Sequence, residues 1–477
     1  MAFIGRKYEL SQLHEFARRK TAGLAVVCGR RRIGKSTLIE HFAKKQNFYE
    51  FYGLAPRPGI TNKDQLKHFG ELLCLRFGIP AVTFRHWTEA LSLLATLTAR
   101  GPAIILLDEI SWMAGSDKDF AGKLKGVWDT QLKKNNELIL ILCGSVTSWI
   151  EENILEDKGY VGRISLTLKL EEMPLSEANQ FWLGNDLITP IEKFKILCVT
   201  GGIPRYLEEI DPKQTAEQNI KRLCFTPGGV LFNEFDKIFN DIFQKKADSY
   251  KFIVQELAEQ PCEYNQLAEK LGVEPTGGLS KQIKHLIAAG FLARDYVWNK
   301  EGQRTKLSHI RLRDNYIRFY LKYIEPKKAL INQGVYKDVA LENLPQWSII
   351  MGYQFENLVL NNLSTFIHRL NIPAESIMAM GAYFQRKTAR QESCQIDLLI
   401  HTHYTLYICE IKFRKIIKDT VIHEVQEKIK RLKFPSYMSI RPVLIYLGTL
   451  DSTVLASDFF AAKIDLSELL NNLYLAH

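Results

Sequence analysis

The residues with the clearest chemistry form the run Gly29-Arg-Arg-Arg-Ile-Gly-Lys-Ser36 near the start of the chain. Its spacing, G-x-x-x-x-G-K-[ST], is that of a phosphate-binding loop, and the apolar residues 24–28 before it predict a strand. Such a loop turns main-chain N–H groups toward one point, where they can hold a β-phosphate. We expect Lys35 to reach the β- and γ-phosphates and the Ser36 hydroxyl to coordinate Mg²⁺, which makes ATP the predicted ligand. The nucleotide-binding residues predicted from the loop are Gly29, Arg30, Arg31, Arg32, Ile33, Gly34, Lys35, Ser36 and Thr37.

Two carboxylates follow the next strongly apolar run, residues 103–107. Asp108 would hold the Mg²⁺ shell and Glu109 would orient and activate the attacking water, as in the Walker B arrangement of an NTPase. A further apolar run, residues 138–143, ends at Gly144-Ser145. The Ser145 hydroxyl either lies beside the γ-phosphate, where it could sense hydrolysis, or caps the helix that follows.

These motifs lie on a regular alternation of apolar strands and helical stretches. The alternation predicts an α/β fold with a parallel sheet that helices cover on both faces. Ligands of such sheets bind at the carboxyl ends of the strands, which is where all three motifs fall. The predicted strands lie near residues 24–28, 48–52, 103–108, 138–143 and 164–170.

The middle of the chain predicts three short helices and a hairpin, which together make a winged helix-turn-helix. The helices are predicted at 250–257, 264–271 and 279–289, and the strands at 291–297 and 306–312. If the module binds DNA, the third helix enters the major groove with Lys281, Lys284 and His285, and Lys300 and Arg304 of the hairpin press on phosphates. Otherwise it serves as a lid or an interdomain packing piece, and these charges are solvated.

A second chemical signal, D-x(12)-E-x-K, lies near the C-terminus at Asp397, Glu410 and Lys412. The pattern falls on two adjacent apolar strands, and alternation along the second places Glu410 and Lys412 on one face. Two charges on a buried strand are costly unless each finds a partner, and Asp397 with a divalent ion would supply one. Upstream, Glu356 borders the apolar stripe of a predicted helix, 352–368, and a second helix is predicted from Val421 to Leu432. Three histidines near this site lack zinc-like spacing with cysteine, so a surface turn explains them: His401, His403 and His423.

Several segments, taken in order, resemble the archaeal-type ATPase family, P-loop proteins of the AAA+/STAND group. They are Phe3-Ile-Gly-Arg-Lys-Tyr-Glu-Leu10, the phosphate loop, Leu106-Leu-Asp-Glu109, Cys143-Gly-Ser145, Gly162-Arg163 and Thr200-Gly-Gly-Ile-Pro-Arg205. The resemblance implies that Gly5 and Arg6 pack beside the adenine and that the turn ending at Pro204 closes a lid over the base. It also implies that Arg163 touches the γ-phosphate, in cis or across an oligomer interface; an ordinary surface charge is the other explanation of Arg163 and of Arg205.

The arginine run 30–32 has two explanations, a positive charge beside the phosphates or a patch for nucleic acid, and its place in the loop favours the first.

The C-terminal order of helix, strand, strand and helix resembles the PD-(D/E)XK nuclease fold, which is restriction-endonuclease-like. The resemblance implies that Asp397 and Glu410 bind Mg²⁺ or Mn²⁺ and that Glu356 helps to hold a second ion or a water. Lys412 would orient or deprotonate the attacking water, or support the charge of the phosphorane. Such a domain can also be catalytically idle and serve binding or assembly.

Length and composition limit the number of domains and the class of protein. A chain of 477 residues is too long for one core, and 46% hydrophobic with 24% charged residues is ordinary for a folded soluble protein. No run of 18 apolar residues predicts a membrane span, and eight cysteines without a C-x-x-C pair predict reduced thiols in a cytoplasmic protein. A net charge of +10 favours a polyanionic partner such as DNA without establishing one. The predicted domains are an ATPase core (1–170), a helical lid (171–245), a winged helix (246–313), a helical connector (314–350) and a nuclease-like domain (351–477).

Three functions fit these motifs. The first is an ATP-driven enzyme that acts on DNA, with metal-dependent cleavage in the last domain. The second is a STAND-like switch, in which ATP or ADP sets the state and the C-terminal domain binds a partner. The third, a non-enzymatic adaptor with a structural nucleotide, is disfavoured because Lys35, Asp108 and Glu109 are all present. The motifs leave open whether the protein is a homo-oligomer.

Overall fold

The computed structural model describes residues 3–145, 148–183, 188–243, 246–389 and 391–471. The chain divides into two compact units. The first comprises Met1–Glu172, Ile238–Ala247 and Ala288–Gly290, and the second comprises Met173–Lys237, Asp248–Ile287 and Phe291–His477.

The first unit is built on a five-stranded parallel sheet in the order β2-β3-β4-β1-β5. The strands are β1 (Gly23–Gly29), β2 (Phe48–Tyr52), β3 (Ala103–Asp108), β4 (Leu138–Ser145) and β5 (Ile164–Leu170). All five lie where the sequence predicts them, so the predicted α/β fold with a parallel sheet is confirmed. Its helices are α1 (Lys7–Ala17), α2 (Lys35–Ala43), α3 (Asn62–Phe77), α4 (Trp87–Leu97), α5 (Ile110–Ala114), α6 (Phe120–Thr130) and α7 (Ser148–Ile150).

The central strands are apolar throughout because helices cover both faces of the sheet. Every residue of β1 and of β3 is buried. One face packs against α3, α4 and α6 in a core that includes Leu91, Leu107, Trp128 and Leu140. This packing fixes the strands, and the strands in turn fix the loops at their carboxyl ends.

The second unit begins with helices where the sequence predicts a lid. They are α8 (Leu175–Ala178), α9 (Pro190–Thr200), α10 (Pro204–Leu207) and α11 (Ala216–Cys224). The next helix, α12 (Glu234–Phe243), begins in the second unit and belongs to the first from Ile238 onward. Phe194 of α9 meets Phe355 edge-on, with ring centroids 5.5 Å apart, and residues 173–216 share one hydrophobic core with the C-terminal sheet. The buried Lys193 ammonium is held by the Asn179 side chain and the Leu470 carbonyl, each at 2.8 Å.

The next segment holds three helices and a small antiparallel sheet in the order β6-β8-β7. Its elements are α13 (Ala247–Glu256), β6 (Cys262–Glu263), α14 (Tyr264–Lys270), α15 (Gly277–Ala288), β7 (Leu292–Trp298) and β8 (Arg304–Leu312). The connector after it contains α16 (Asn315–Phe319) and α17 (Lys328–Asn332). The predicted helices and hairpin are therefore present as elements.

The C-terminal part is a mixed five-stranded sheet in the order β13-β12-β11-β10-β9. Its elements are α18 (Trp347–Leu360), α19 (Leu363–Arg369), β9 (Ile377–Gln385), β10 (Cys394–Thr402), β11 (Thr405–Ile417), α20 (Thr420–Arg431), β12 (Ser439–Leu450), α21 (Ser452–Ala456) and β13 (Ala462–Asp465). β10 runs antiparallel to β9 and β11, and the pairs β11–β12 and β12–β13 are parallel. β11 is the central strand, as its apolar pattern predicts.

No helix among the described residues is long and apolar enough to cross a membrane.

Candidate functional site

The phosphate loop lies between β1 and α2 at the carboxyl edge of the first sheet. Gly34 has a φ of 87°, a conformation that only glycine adopts at no steric cost. A Cβ on Gly29 would lie 2.6 Å from the Leu170 carbonyl oxygen, so β1 and the end of β5 approach closely only because residue 29 is glycine. α2 begins at Lys35, and the first N–H groups of a helix have no partner within it. The loop therefore has the geometry of an anion site at a helix N-terminus.

The Lys35 side chain folds back over this loop. Its Nζ donates to the carbonyl oxygens of Gly29, at 3.3 Å, and Arg30, at 3.2 Å. The side chain is buried. A lysine held against neutral acceptors can exchange them for phosphate oxygens, which carry the opposite charge.

Ser36 and Asp108 meet directly, although 72 residues separate them. The Ser36 hydroxyl donates to Asp108 Oδ2 at 2.6 Å, and Asp108 Oδ1 accepts from the Glu109 N–H at 2.8 Å. A hydroxyl and a carboxylate are the hard oxygen donors that Mg²⁺ prefers. These two residues fit a shared Mg²⁺, as the sequence predicts.

Glu109 lies beside them in a strained conformation, with φ 46° and ψ 49°. Burial raises the pKa of its carboxyl, and Asp108 adds to the rise, while Lys35 and Arg31 oppose it. Its Oε2 is buried and, within the described part of the chain, accepts no hydrogen bond. Ser145 pairs with Gly29 across the sheet, and its main-chain N–H opposes the rise in the pKa of this carboxyl. A buried carboxylate held at such a position suits a general base that accepts a proton from water.

The loop arginines are paired with acids of the same unit. Arg30 is buried with its Nη1 3.6 Å from Glu172, and Arg31 is half-buried against Asp241. Of the other predicted nucleotide-binding residues, Ile33 is fully buried and the Thr37 side chain is exposed. The backbone of Arg32 has a φ of 66°. The charge of Arg31 reaches Glu109, which places it near the phosphate edge.

Arg6 fastens the start of the chain to the loop. Its guanidinium is buried and donates to the carbonyls of Ile33, at 2.9 Å, and Glu171, at 2.7 Å, and to Glu9 at 2.8 Å. Gly5 before it has a φ of 68°. Arg6 thus positions the loop backbone, and the contact of Gly5 and Arg6 with adenine stays a prediction.

The expected contact of Arg163 with the γ-phosphate in cis is wrong. Arg163 precedes β5, whose first residue is level with Leu24 at the start of β1. The five residue steps from Leu24 to Gly29 span about 17 Å, so Arg163 lies at the opposite edge of the sheet. Its guanidinium makes a two-pronged pair with Asp129, with Nε and Nη2 at 2.9 and 2.7 Å from Oδ2. A contact across an oligomer interface stays a prediction, and so does the adenine contact of Pro204, which begins α10 in the second unit.

The second predicted site is assembled on β10 and β11. The register that pairs Leu398 with Cys409 places Asp397 beside Glu410. Asp397 Oδ2 accepts from the Ile411 N–H at 2.9 Å, and Glu410 Oε1 lies 2.8 Å from Lys412 Nζ. The three side chains that the D-x(12)-E-x-K pattern predicts therefore converge.

Two residues of α20 complete this cluster, and the sequence analysis did not find them. Lys428 Nζ lies between the two carboxylates, 2.5 Å from Glu410 Oε2 and 3.3 Å from Asp397 Oδ1. Glu424 accepts from Lys412 at 2.7 Å. The sequence contained a signal for them, because residues 424 and 428 are four apart and lie next to the buried apolar face of α20. Lys430 of the same helix pairs instead with Glu427 in solvent.

The burial and the charges of this cluster shift its pKa values. Burial raises the pKa of Asp397, and Glu410 adds to the rise. Burial together with Asp397 raises the pKa of Glu356 to about 8, so this carboxyl is largely protonated at neutral pH. Burial alone would lower the pKa of Lys428, but Asp397 and Glu410 outweigh it, and the net shift is upward. Lys428 is therefore a firmly charged cation between two acids.

Asp397 and Glu410 fit a divalent cation by donor type, since both are carboxylates that share one buried position. Lys428 holds the same two oxygens. No group of three or more His, Cys, Asp or Glu side chains with metal-site geometry occurs among the described residues. A divalent ion at this site would thus have two protein carboxylates and would compete with Lys428.

Comparison with known proteins places two families on the chain. Residues 3–210 match a family described as an ATPase domain predominantly from Archaea. Residues 320–429 match a family of archaeal and bacterial proteins of unknown function. The second match covers β10, β11 and most of α20, and therefore Asp397, Glu410 and Lys428.

Three relatives illustrate these matches. The uncharacterized protein MJECL04 of Methanocaldococcus jannaschii is 24% identical over 435 residues, 90% of this chain and 91% of the relative. The Walker-type ATPase PABY2304 of Pyrococcus abyssi is similar over 67% of this chain and 96% of its own, with 17% identity and a TM-score of 0.48. The ORC2 protein of Aeropyrum pernix, in ADPNP–ADP complexes, is similar over 69% of this chain and 94% of its own, with 16% identity and a TM-score of 0.39. Residues 3–210 are thus similar to an archaeal-type ATPase domain, and residues 320–429 are similar to a family whose function is unknown.

Proposed function

We propose that this protein hydrolyses ATP and acts on DNA through a winged helix and a PD-(D/E)XK nuclease-like domain. The observation that carries the proposal is the convergence of Lys35, Ser36, Asp108 and Glu109 at the carboxyl edge of one parallel sheet. These four are the side-chain types that phosphoryl transfer to water uses.

The roles of the four residues follow from their contacts. Lys35 balances the charge of the β- and γ-phosphates once it leaves the loop carbonyls. Ser36 and Asp108 hold Mg²⁺, which supplies further neutralisation of that charge. Glu109, with one buried oxygen open, orients a water and accepts its proton. The main-chain N–H of Ser145 favours the charged form of the Glu109 carboxylate.

The DNA half of the proposal is supported by the second unit. Helices α13 to α15 followed by the β7–β8 hairpin have the element order of a winged helix-turn-helix, with Lys281 and Lys284 on α15. α18, β9 to β11 and α20 with Asp397, Glu410 and Lys412 have the order of a PD-(D/E)XK domain. A divalent ion at Asp397 and Glu410 would supply Lewis acidity to a phosphodiester, and Lys412 lies next to it for the attacking water.

One observation favours a second candidate, a STAND-like ATP/ADP switch whose C-terminal domain binds a partner without cleavage. Lys428 neutralises the two carboxylates and takes the position that a catalytic cation needs. A site that is already electrically satisfied can remain without a metal.

A pair of assays separates these functions. ATP binding by equilibrium dialysis and phosphate release are measured for the full chain and for Lys35→Ala. Cleavage of DNA and RNA substrates is measured with Mg²⁺ or Mn²⁺, with and without ATP, for the full chain and for Asp397→Ala. We expect Lys35→Ala to lose ATP binding, and Asp397→Ala to lose cleavage while ATP turnover is unchanged.

Persistence of ATP binding in Lys35→Ala would contradict the phosphate-loop assignment. ATP turnover without any cleavage by the full chain would instead favour the switch. Lys337→Ala, an exposed lysine of the connector, is the control for the loss of a positive charge.

A further inference from the structure

The second unit contains two clefts that meet at one ion pair. The first, here called the basic cleft, has a volume of about 630 Å³ and is lined by residues that include Tyr264, Ser280, Arg294 and Lys306. The second, the carboxylate cleft, has a volume of about 690 Å³ and contains Asp397, Glu410 and Lys412. Glu263 and Arg386 line both clefts and form a salt bridge with each other. The two clefts are therefore neighbours with one shared rim.

The basic cleft has a surplus of positive charge. Its lining includes Arg294, Lys306 and Arg386, and Glu263 is its single carboxylate among the described residues. Glu263 is already paired with Arg386. In the part of the chain that the structure describes, neither Arg294 nor Lys306 has a carboxylate partner, and the buried Nε of Arg294 has no acceptor. Two uncompensated cations in one recess fit a ligand that carries repeated negative charge.

We propose that a single strand of nucleic acid binds along the basic cleft, crosses the Glu263–Arg386 pair and enters the carboxylate cleft. This path rests on the proposed action on nucleic acid and specifies where that ligand runs. Arg294 and Lys306 contact its phosphates, and Tyr264 and Ser280 offer polar groups along the same wall.

The depth of the carboxylate cleft selects one strand over a duplex. Glu410 is 2% exposed and Asp397 is 11% exposed, so a phosphodiester reaches them only by entering the recess. One strand can bend into this recess, whereas the second backbone of a duplex would have to stay outside it. The helix that would enter a duplex in the winged-helix arrangement, α15, contributes Ser280 to the basic cleft, but its Lys281 and Lys284 line neither cleft.

The lining of the carboxylate cleft argues against an acidic peptide as the occupant. Six carboxylates line it against four lysine or arginine side chains. A peptide carboxylate and a phosphodiester meet the same repulsion there, but only the phosphodiester has a bond on which Asp397, Glu410 and Lys412 could act.

The ion pair at the shared rim competes with the ligand. Arg386 is 56% exposed, and Glu263 is 16% exposed and is fixed as the first residue before α14. A phosphate that arrives from the basic cleft can draw the Arg386 guanidinium away from Glu263, because Arg binds phosphate in the same two-pronged way as carboxylate.

The test is the affinity of the full chain for a fluorescent 20-nucleotide single strand as a function of salt. Each lost phosphate contact lowers the slope of log K against log [salt] by about 0.7 for a single strand. We expect Lys306→Gln to lower the slope by about 0.7 and Arg294→Gln/Lys306→Gln by about 1.4, with at least a tenfold loss of affinity at about 0.1 M salt. Lys337→Gln and Arg441→Gln, exposed positions outside both clefts, should change neither quantity.

Chemical acetylation of the lysines gives a second measurement. Acetylation of Lys306 should fall when the strand is bound, and acetylation of Lys337 should not. Since Lys306 is exposed, its single variant keeps the test decisive if the Arg294 variant folds poorly.

Normal strand binding by Lys306→Gln with an unchanged slope would overturn the path and leave the action on nucleic acid standing. The same holds if Lys281→Gln/Lys284→Gln alone abolishes binding. Absence of any nucleic-acid binding by the unmodified chain would refute the proposed action on nucleic acid, and the path with it.

Discussion

Replacement of Lys428 by methionine gives a direct measure of what its ammonium does between Asp397 and Glu410. At an effective dielectric constant of 20, contacts of 2.5 and 3.3 Å correspond to about 5–7 kcal/mol each before desolvation is counted. Desolvation offsets most of this, and removal of one partner from a buried ion cluster costs about 3–5 kcal/mol. Lys428 remains 23% exposed and Lys412 also contacts Glu410, so we expect the lower end, about 3 kcal/mol.

Native-state hydrogen exchange of the full chain at pH 7.5 measures this loss where it occurs. A loss of about 3 kcal/mol corresponds to about 100-fold faster exchange of the β10 and β11 amides. The strands of the first sheet should exchange as before. Lys430→Met is the matched control on the same helix, because its partner Glu427 is exposed and such pairs contribute at most about 1 kcal/mol.

The same variant reports on the cation site. With the ammonium gone, Asp397 and Glu410 should bind Mn²⁺ more tightly than in the unmodified chain, as measured by calorimetry or by the spin resonance of free Mn²⁺. The reasoning is refuted if Lys428→Met and Lys430→Met are equal in exchange and in Mn²⁺ affinity.

Three further predictions concern other residues. Burial and Asp397 raise the pKa of Glu356 to about 8, so the stability that its protonated form contributes is present at low pH and is lost as the pH rises toward 8. Glu356→Gln cannot ionise and should not show this loss. The urea midpoint of the variant should therefore exceed that of the unmodified chain by an amount that grows between about pH 5 and 8.5. Gly29→Ala should weaken binding of a fluorescent ATP analogue at least tenfold, because the new Cβ would collide with the Leu170 carbonyl. Gly126→Ala on α6 is the control, because a Cβ there would have no atom within 4 Å. It should leave binding intact and raise the free energy of unfolding by about 0.5–1 kcal/mol. Arg163→Gln should lose only a small part of the stability with its Asp129 pair, and it should leave ATP turnover of the dilute protein unchanged. A tenfold fall in turnover independent of protein concentration would contradict its placement at the far edge of the sheet.

The first sheet was predictable because its central strands are buried on both faces and therefore read as continuous apolar runs. β1, β3 and β4 each end in a polar motif, and strands of a parallel sheet bring their carboxyl ends to one edge. The meeting of Ser36 with Asp108 follows from those two facts without any knowledge of loop structure.

Arg163 shows where such reasoning fails. Its motif has a fixed place in the chain, but the edge of the sheet at which a residue lies depends on whether it precedes or follows its strand. Arg163 precedes β5, and β5 is parallel to β1, so it lies opposite the phosphate loop. The strand prediction at 164–170 already contained this information.

Lys428 shows a different limit. The alternation along β11 predicts that Glu410 and Lys412 share a face, but it does not say which face α20 covers or which turn of the helix lies over the carboxylates. That depends on packing of Val421 and Val425 beneath the sheet, a tertiary contact. The same limit applies to residues 173–216, whose core is shared with a sheet more than 150 residues away.

The two sites differ in how their charges are arranged before a ligand arrives. In the first, Lys35 rests on neutral carbonyls, so a triphosphate gains its ammonium without breaking an ion pair. In the second, each carboxylate is already held by a lysine, so a cation or a phosphate must first break one of these pairs. The ATP site should therefore bind its ligand readily in the isolated protein. The C-terminal site should need a higher divalent-ion concentration, since the ion must displace the Lys428 ammonium from Asp397 and Glu410, which frees that ammonium for an incoming phosphate.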